Sequence, residues 1–120
     1  MGRHLLALAL ALLPLACGGG VDLSNAMGYC DESQSILCDK VFACIPTSAQ
    51  DQAFKDAFGS SPSDCKTSMV VATCANAAAR CATYDAKAAQ QCIDALDALT
   101  CGDLGSGNAT PAACGAACKP

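Results

Sequence analysis

The sequence predicts an all-α fold: a small disulfide-stapled bundle of four to five short helices over residues 29–120, behind a signal peptide (1–16) and a flexible tether (17–28). Three observations predict it. Apolar residues recur at helical spacing, and no strand-like alternation of any length appears. Eleven of the 120 residues are cysteine. Core-building residues are scarce: from residue 17 onward Val, Ile, Leu and Phe number 15 of 104, a fraction that alone leaves a chain too thinly apolar to fold. Disulfides, each contributing about 2–4 kcal/mol, are the means by which so little bulk closes a domain.

The charge balance excludes one class of partner. Seven Lys+Arg stand against 11 Asp+Glu, and aromatic residues make up 4%. Nucleic-acid binding wants a basic surface and rings on which bases stack, so no nucleic-acid partner is expected.

The N-terminus reads as an export signal. Arg3 and His4 precede an unbroken Leu/Ala run from Leu5 to Leu13, shorter than the roughly 20 apolar residues that span a bilayer. Leu13-Pro14-Leu15-Ala16-Cys17, followed by Gly18-Gly19-Gly20, resembles the lipobox of bacterial lipoproteins, although Pro14 stands where an aliphatic or small residue is usual. In that family a cysteine after a small residue receives a diacylglyceryl group and becomes the new N-terminus. The resemblance implies lipidation of Cys17 and a membrane partner reached through that anchor. With glycine rather than aspartate at position 18, it further implies the outer membrane, at its periplasmic face or the cell surface; without the lipid, the protein would be secreted. Setting Cys17 aside leaves an even set, Cys30, Cys38, Cys44, Cys65, Cys74, Cys81, Cys92, Cys101, Cys114 and Cys118, all of which can pair in an oxidising compartment.

The elements follow in order. Gly18 to Asn25 is the tether. A first helix is expected from Asp31 to Cys44, with Leu37, Val41 and Cys44 on one stripe and Cys38, Phe42 and Ile45 beside it; Pro46 ends it. Asp31 and Glu32 stand where a helix start favours negative charge. Ser48 is expected to cap a second helix that places Phe54 and Phe58 one turn apart, closed by Gly59. Ser61-Pro62 then opens a third, through Cys65, Met69 and Ala72 to about Cys74. Ala75–Thr83 is Ala-rich and fits either a helical continuation or a compact turn. Asp85 opens the clearest helix, Ala86–Leu99, with Ala89, Cys92, Leu96 and Leu99 as its stripe and Gly102 as its stop. Gly105-Ser106-Gly107-Asn108 is a loop, and Thr110-Pro111 starts a last helix carrying Cys114 and Cys118. Proximity and facing suggest three bridges: Cys44–Cys65, Cys101–Cys114 and Cys38–Cys92.

No enzyme is expected. Histidine, the usual base for a Ser or Cys nucleophile, occurs only at position 4, inside the signal. No Cys-x-x-Cys occurs, so zinc-site and thioredoxin-type spacings are missing and no metal or cofactor is expected. Asp94 and Asp97 lie about one turn apart, but on the polar face of an amphipathic helix, where solvation accounts for them. Tyr29, Tyr84 and Phe54 are the large groups available to anchor a partner; packing within a ring-poor domain is the simpler account.

Beyond the signal, the segments Cys38-Asp39-Lys40-Val41-Phe42-Ala43-Cys44, Phe58-Gly59-Ser60, Cys92 through Cys101-Gly102-Asp103-Leu104, and Pro111-Ala112-Ala113-Cys114 resemble cysteine-rich, uncharacterised small exported lipoproteins of Gram-negative bacteria. The resemblance implies no activity. The function expected is therefore that of an exported cell-envelope lipoprotein acting by non-catalytic binding or as a structural surface component. Two alternatives stand beside it: a secreted hydrolase inhibitor presenting Ala75–Tyr84 or Gly102–Thr110, and an envelope metal-binding or thiol-redox protein.

Overall fold

The computed structural model of the chain describes residues 22–120; the signal, Cys17 and most of the tether lie outside them. The first helix, α1 (Ala26–Cys44), begins well before the expected Asp31 because Asn25 caps it: the Asn25 side-chain oxygen accepts from the Gly28 N–H at 2.9 Å. Asp31 and Glu32 are therefore carried in the body of the helix and are not its first-turn charges. The tether also ends sooner than residue 28. From Asp22 the chain is tied down, with the Asp22 carboxylate accepting from Ser24 N–H at 2.9 Å, Leu23 packed on the core, and the Leu23 carbonyl accepting from the Tyr84 hydroxyl at 2.5 Å. The turn is tight enough that a Cβ on Gly28 would lie 1.8 Å from the Asp22 carbonyl oxygen.

Pro46 ends α1 as expected, with Ile45 extended before it. Ser48 falls inside a 3-10 turn (Thr47–Ala49), and the cap of α2 (Gln52–Phe58) is Asp51, whose carboxylate accepts from Phe54 N–H at 2.9 Å. Gly59 closes α2 with φ +81°. The Ser61 hydroxyl then caps α3 (Pro62–Met69), with proline in its first turn, and the helix runs on through a π-helical turn, Val70–Cys74. The indecisive alanine-rich segment yields α4 (Ala77–Arg80) and a two-residue strand, β1 (Thr83–Tyr84).

Asp85 caps α5 (Ala86–Asp97), accepting from Lys87 and Ala88. Gly102 is not its stop. Thr100 and Asp103 form a reciprocal capping box that starts a new helix, α6 (Cys101–Gly105), with Gly102 inside it. The last helix, α7 (Ala112–Ala117), ends before Cys118, which belongs to β2 (Cys118–Lys119); β1 and β2 pair antiparallel, Thr83 opposite Lys119 and Tyr84 opposite Cys118. The fold is thus all-α with one minimal ribbon, and its helices outnumber the expected four to five because the segment after Cys74 and the residues around Gly102 each contribute one.

The core is small. Ile36, Cys92, Ile93 and Leu96 bury one another, with Leu23, Tyr29, Leu37, Leu99, Ala113 and Cys114 packed around them. Ala88, Ala89 and Ala117 form a second cluster, where the absence of side-chain bulk lets α5 and α7 approach closely beneath Tyr29 and Tyr84. Among the described residues only three large aliphatic side chains are buried, Ile36, Ile93 and Leu96; cysteine and alanine make up the other buried positions, and no polar side chain is buried. Cysteine does replace greasy volume here.

All ten expected cysteines pair: Cys30–Cys74, Cys38–Cys65, Cys44–Cys101, Cys81–Cys118 and Cys92–Cys114, with Cα separations of 5.7, 5.8, 5.3, 5.0 and 4.6 Å. None of the three expected bridges, Cys44–Cys65, Cys101–Cys114 and Cys38–Cys92, is made. The turn at Gly59–Ser61 lays α3 back along α1, so Cys65 meets Cys38 in mid-helix rather than Cys44 at the helix end. Cys92, although packed beneath Ile36 and Tyr29 of α1, is bonded to Cys114 of α7 and not to Cys38. Cys101, at the start of α6, abuts the end of α1 instead of closing its own loop. At 100° per residue, Cys30, Cys38 and Cys44 fall within an arc of about 120°, so α1 is a spine stapled along one side to three later segments.

The connectivity has a further order. Cys38–Cys65 is nested inside Cys30–Cys74, and Cys92–Cys114 inside Cys81–Cys118. Only Cys44–Cys101 joins the first nested pair of bridges to the second.

Candidate functional site

A set of large, partly buried apolar side chains gathers on one side of α1. Leu37, Val41 and Ile45 recur at helical spacing there, and Phe54 and Phe58 of α2, Met69 of α3 and Leu104 of α6 face them; all are half-buried. Phe42 meets Phe54 edge-on, with centroids 5.2 Å apart, and Phe54 meets Phe58 at 5.1 Å, which fixes the ring geometry.

Two adjoining cavities result. One, of about 290 Å³, is lined by Val41, Ile45, Phe54, Phe58, Leu104 and the Cys44–Cys101 bridge. The other, of about 170 Å³, adds Gln34, Leu37, Met69 and Ala109 and shares Val41, Phe58 and Leu104 with the first. Together they make a groove walled mainly by carbon and sulfur, to which Gln34 contributes only its apolar stem. Such a surface offers affinity for apolar groups and little means of moving protons.

Elsewhere the polar groups serve the fold. Asp94 accepts from Gln90 at 2.9 Å on the exposed face of α5, and Asp97 is likewise exposed. The Lys40 ammonium reaches back to the carbonyls of Asp97 and Leu99, fastening the end of α5 to α1, and Lys66 pairs with Asp39 at 2.8 Å between α3 and α1. Burial, and then the negative charge of Asp97, pushes the Glu32 carboxyl above its ordinary range; nearby Lys66 opposes this. Hydrogen bonds from Thr100 hold Asp103 below the usual carboxylate range, as those from Ser24 do Asp22.

Tyr29 donates to the Cys92 sulfur at 3.1 Å and lies 6.1 Å from the Tyr84 ring; burial raises both phenols. The two tyrosines are thus packing residues, as the sequence suggested, Tyr29 on the Cys92–Cys114 bridge and Tyr84 on the Ala88–Ala89–Ala117 cluster, while Phe54 lines the groove. A separate cleft of about 250 Å³ lies between Tyr29, Ser33, Arg80 and Cys118, where the Arg80 guanidinium is already engaged by the Thr73 carbonyl. Among the described residues no group of three or more His, Cys, Asp or Glu is placed to hold a metal ion, and no helix is long and apolar enough to cross a membrane. The expected lipidation site, Cys17, lies outside the described residues.

The groove was not anticipated as a unit. Its signal was the doubled stripe on α1, where Leu37 and Val41 run beside Cys38 and Phe42: one stripe suffices for a core contact, so two imply a second apolar neighbour.

These features define a class: a small, helical, disulfide-stapled domain with an extended apolar concavity along its longest helix. Five bridges place such a chain in an oxidising, extracytoplasmic environment. Comparison with protein-family models, curated proteins and solved structures finds no match to the chain.

Proposed function

We propose that the protein is an exported cell-envelope lipoprotein, attached to the outer membrane through a lipid on Cys17, that acts by non-catalytic binding at the apolar groove between α1, α2, α3 and α6. The observation carrying this reading is the placement of hydrophobic residues. A chain this short of large apolar side chains leaves Val41, Ile45, Phe54, Phe58 and Leu104 around an open concavity and builds most of its interior from cysteine and alanine. Apolar, pre-formed pockets of a few hundred Å³ are the usual form of small-ligand sites. Anchoring rests on the Ala16-Cys17-Gly18 sequence and on the Gly-rich stretch after it; several acyl chains on one cysteine hold a protein to a bilayer where a single chain does so only weakly.

The test uses the natively expressed full chain. Cys17→Ser is expected to abolish incorporation of labelled palmitate and to move the protein from the detergent phase to the aqueous phase. Unaltered partitioning would overturn the anchor.

A further inference from the structure

We infer that the Cys44–Cys101 disulfide is a redox-sensitive strap across the apolar groove, opened ahead of the other four bridges by a dithiol reductant, and that its opening widens the groove while the fold persists.

Access is the first argument. Each of the other bridges has at least one buried partner: Cys74, Cys38 with Cys65, Cys81, and Cys92. Cys44 is only half-buried and Cys101 is exposed, so this is the bridge that an attacking thiolate reaches in the intact fold. Connectivity is the second. The remaining bridges are nested two by two on either side of it, so each half of the molecule keeps both of its own staples. The halves also stay joined by the packing of Ile36 on Ile93 and Leu96 and by Lys40 on the Asp97 and Leu99 carbonyls.

The third argument is what the bond restrains. Among the described residues, every hydrogen bond made by Thr100–Ala109 is local to that segment: the Thr100–Asp103 box, Leu104 on Thr100, Ser106 on Gly102 and Asp103, and Asn108 on Asp103 and Ser106. Beyond its chain ends, the Thr100–Ala109 segment is therefore fastened to the rest of the fold by one covalent bond and by the seating of Leu104 and Ala109 in the groove. A segment so attached is the part of a fold that opens at least cost. Both cysteines of the strap line the groove wall, so releasing it frees that wall.

The chemistry balances. One thiolate of the dithiol attacks a sulfur of the bridge, forming a mixed disulfide and releasing the other sulfur as thiolate. The second thiol then displaces the reagent as its internal disulfide. The protein gains two electrons and two protons, as free thiols at Cys44 and Cys101.

The experiment is graded reduction of the oxidised full chain with dithiothreitol, followed by alkylation and peptide mass mapping, with helical circular dichroism and fluorescence of an apolar dye recorded alongside. Cys44 and Cys101 are expected to be alkylated before any other cysteine, with the helical signal kept and dye fluorescence rising with the labelled fraction. A different pair labelled first, or all ten labelled together as helix is lost, would overturn the strap. The double substitution Cys44→Ser with Cys101→Ser is expected to keep four bridges and the helical signal, and to bind dye without reductant as the opened wild type does. Failure of that variant to fold would refute the independence of the nested halves, and dye binding no greater than in the oxidised wild type would refute gating of the groove. The order of alkylation tests the bond irrespective of the groove's ligand or of lipid on Cys17, so its outcome is separable from that of the proposed function.

Discussion

Full reduction of the five bridges is expected to unfold the domain at room temperature. The loops they close span sequence separations from 22 (Cys92–Cys114) to 57 (Cys44–Cys101). The chain-entropy relation gives about 3.4 kcal/mol for the shortest and about 4.2 kcal/mol for the longest. Nested loops share their restraint, so the full sum overstates the effect. Even the equivalent of three independent bridges, about 10 kcal/mol, matches the whole stability of an ordinary domain, about 5–15 kcal/mol. Against this loss stand three buried large aliphatic side chains, each contributing about 1.5–3 kcal/mol. The assay is far-ultraviolet circular dichroism with a thermal melt, comparing reduced and alkylated protein with oxidised protein carried through the same alkylation. The oxidised form should melt cooperatively and the reduced form should show little helix and no transition. A reduced form that still melts cooperatively would refute the claim that cysteine pairing replaces core volume.

Two substitutions probe local features. Gly59 has φ +81° and ψ −172°, a region closed to L side chains, and a Cβ there would lie 2.7 Å from that of Asp64; Gly59→Ala should cost about 1–3 kcal/mol, read as a lowered urea midpoint at unchanged slope, whereas an unchanged midpoint would mean that the turn before α3 relaxes freely. Glu32 has a carboxyl raised by burial and by Asp97, so between its ordinary range and the raised value the folded state binds the extra proton, and stability falls as pH rises through that window. Glu32→Gln should therefore stabilise the protein at pH 7, by about 0.5 kcal/mol or less given the solvent nearby, with the advantage gone once the wild-type carboxyl is protonated; a loss of stability at pH 7 would contradict the sign.

Local signals carried most of the fold. Ser61-Pro62 and Asp85 announced their helices because a capping side chain and a pre-set φ act within one turn, and Gly59 announced a stop because few other residues tolerate its conformation. The same locality explains the errors. Asp51 outcompeted Ser48 as a cap, and the Thr100–Asp103 box overrode the stop suggested by Gly102, since a satisfied capping box outweighs one glycine's propensity. Bridge pairing was the least legible level. It depends on how α3 folds back along α1 and on which way Cys92 points once α5 lies against α7, and neither is written in the spacing of cysteines. The groove was half legible: the doubled stripe on α1 and the Phe54/Phe58 pair were visible, but Leu104 joined them only through the long-range bond at Cys101.

The pairing scheme also bears on biosynthesis. Among the described residues, no cysteine is bonded to the next one along the chain. In an oxidising space adjacent thiols meet soonest, because short loops close fastest. Every such early bond would be wrong. Any bond that forms between neighbours before the helices pack must be reshuffled before the native set is reached.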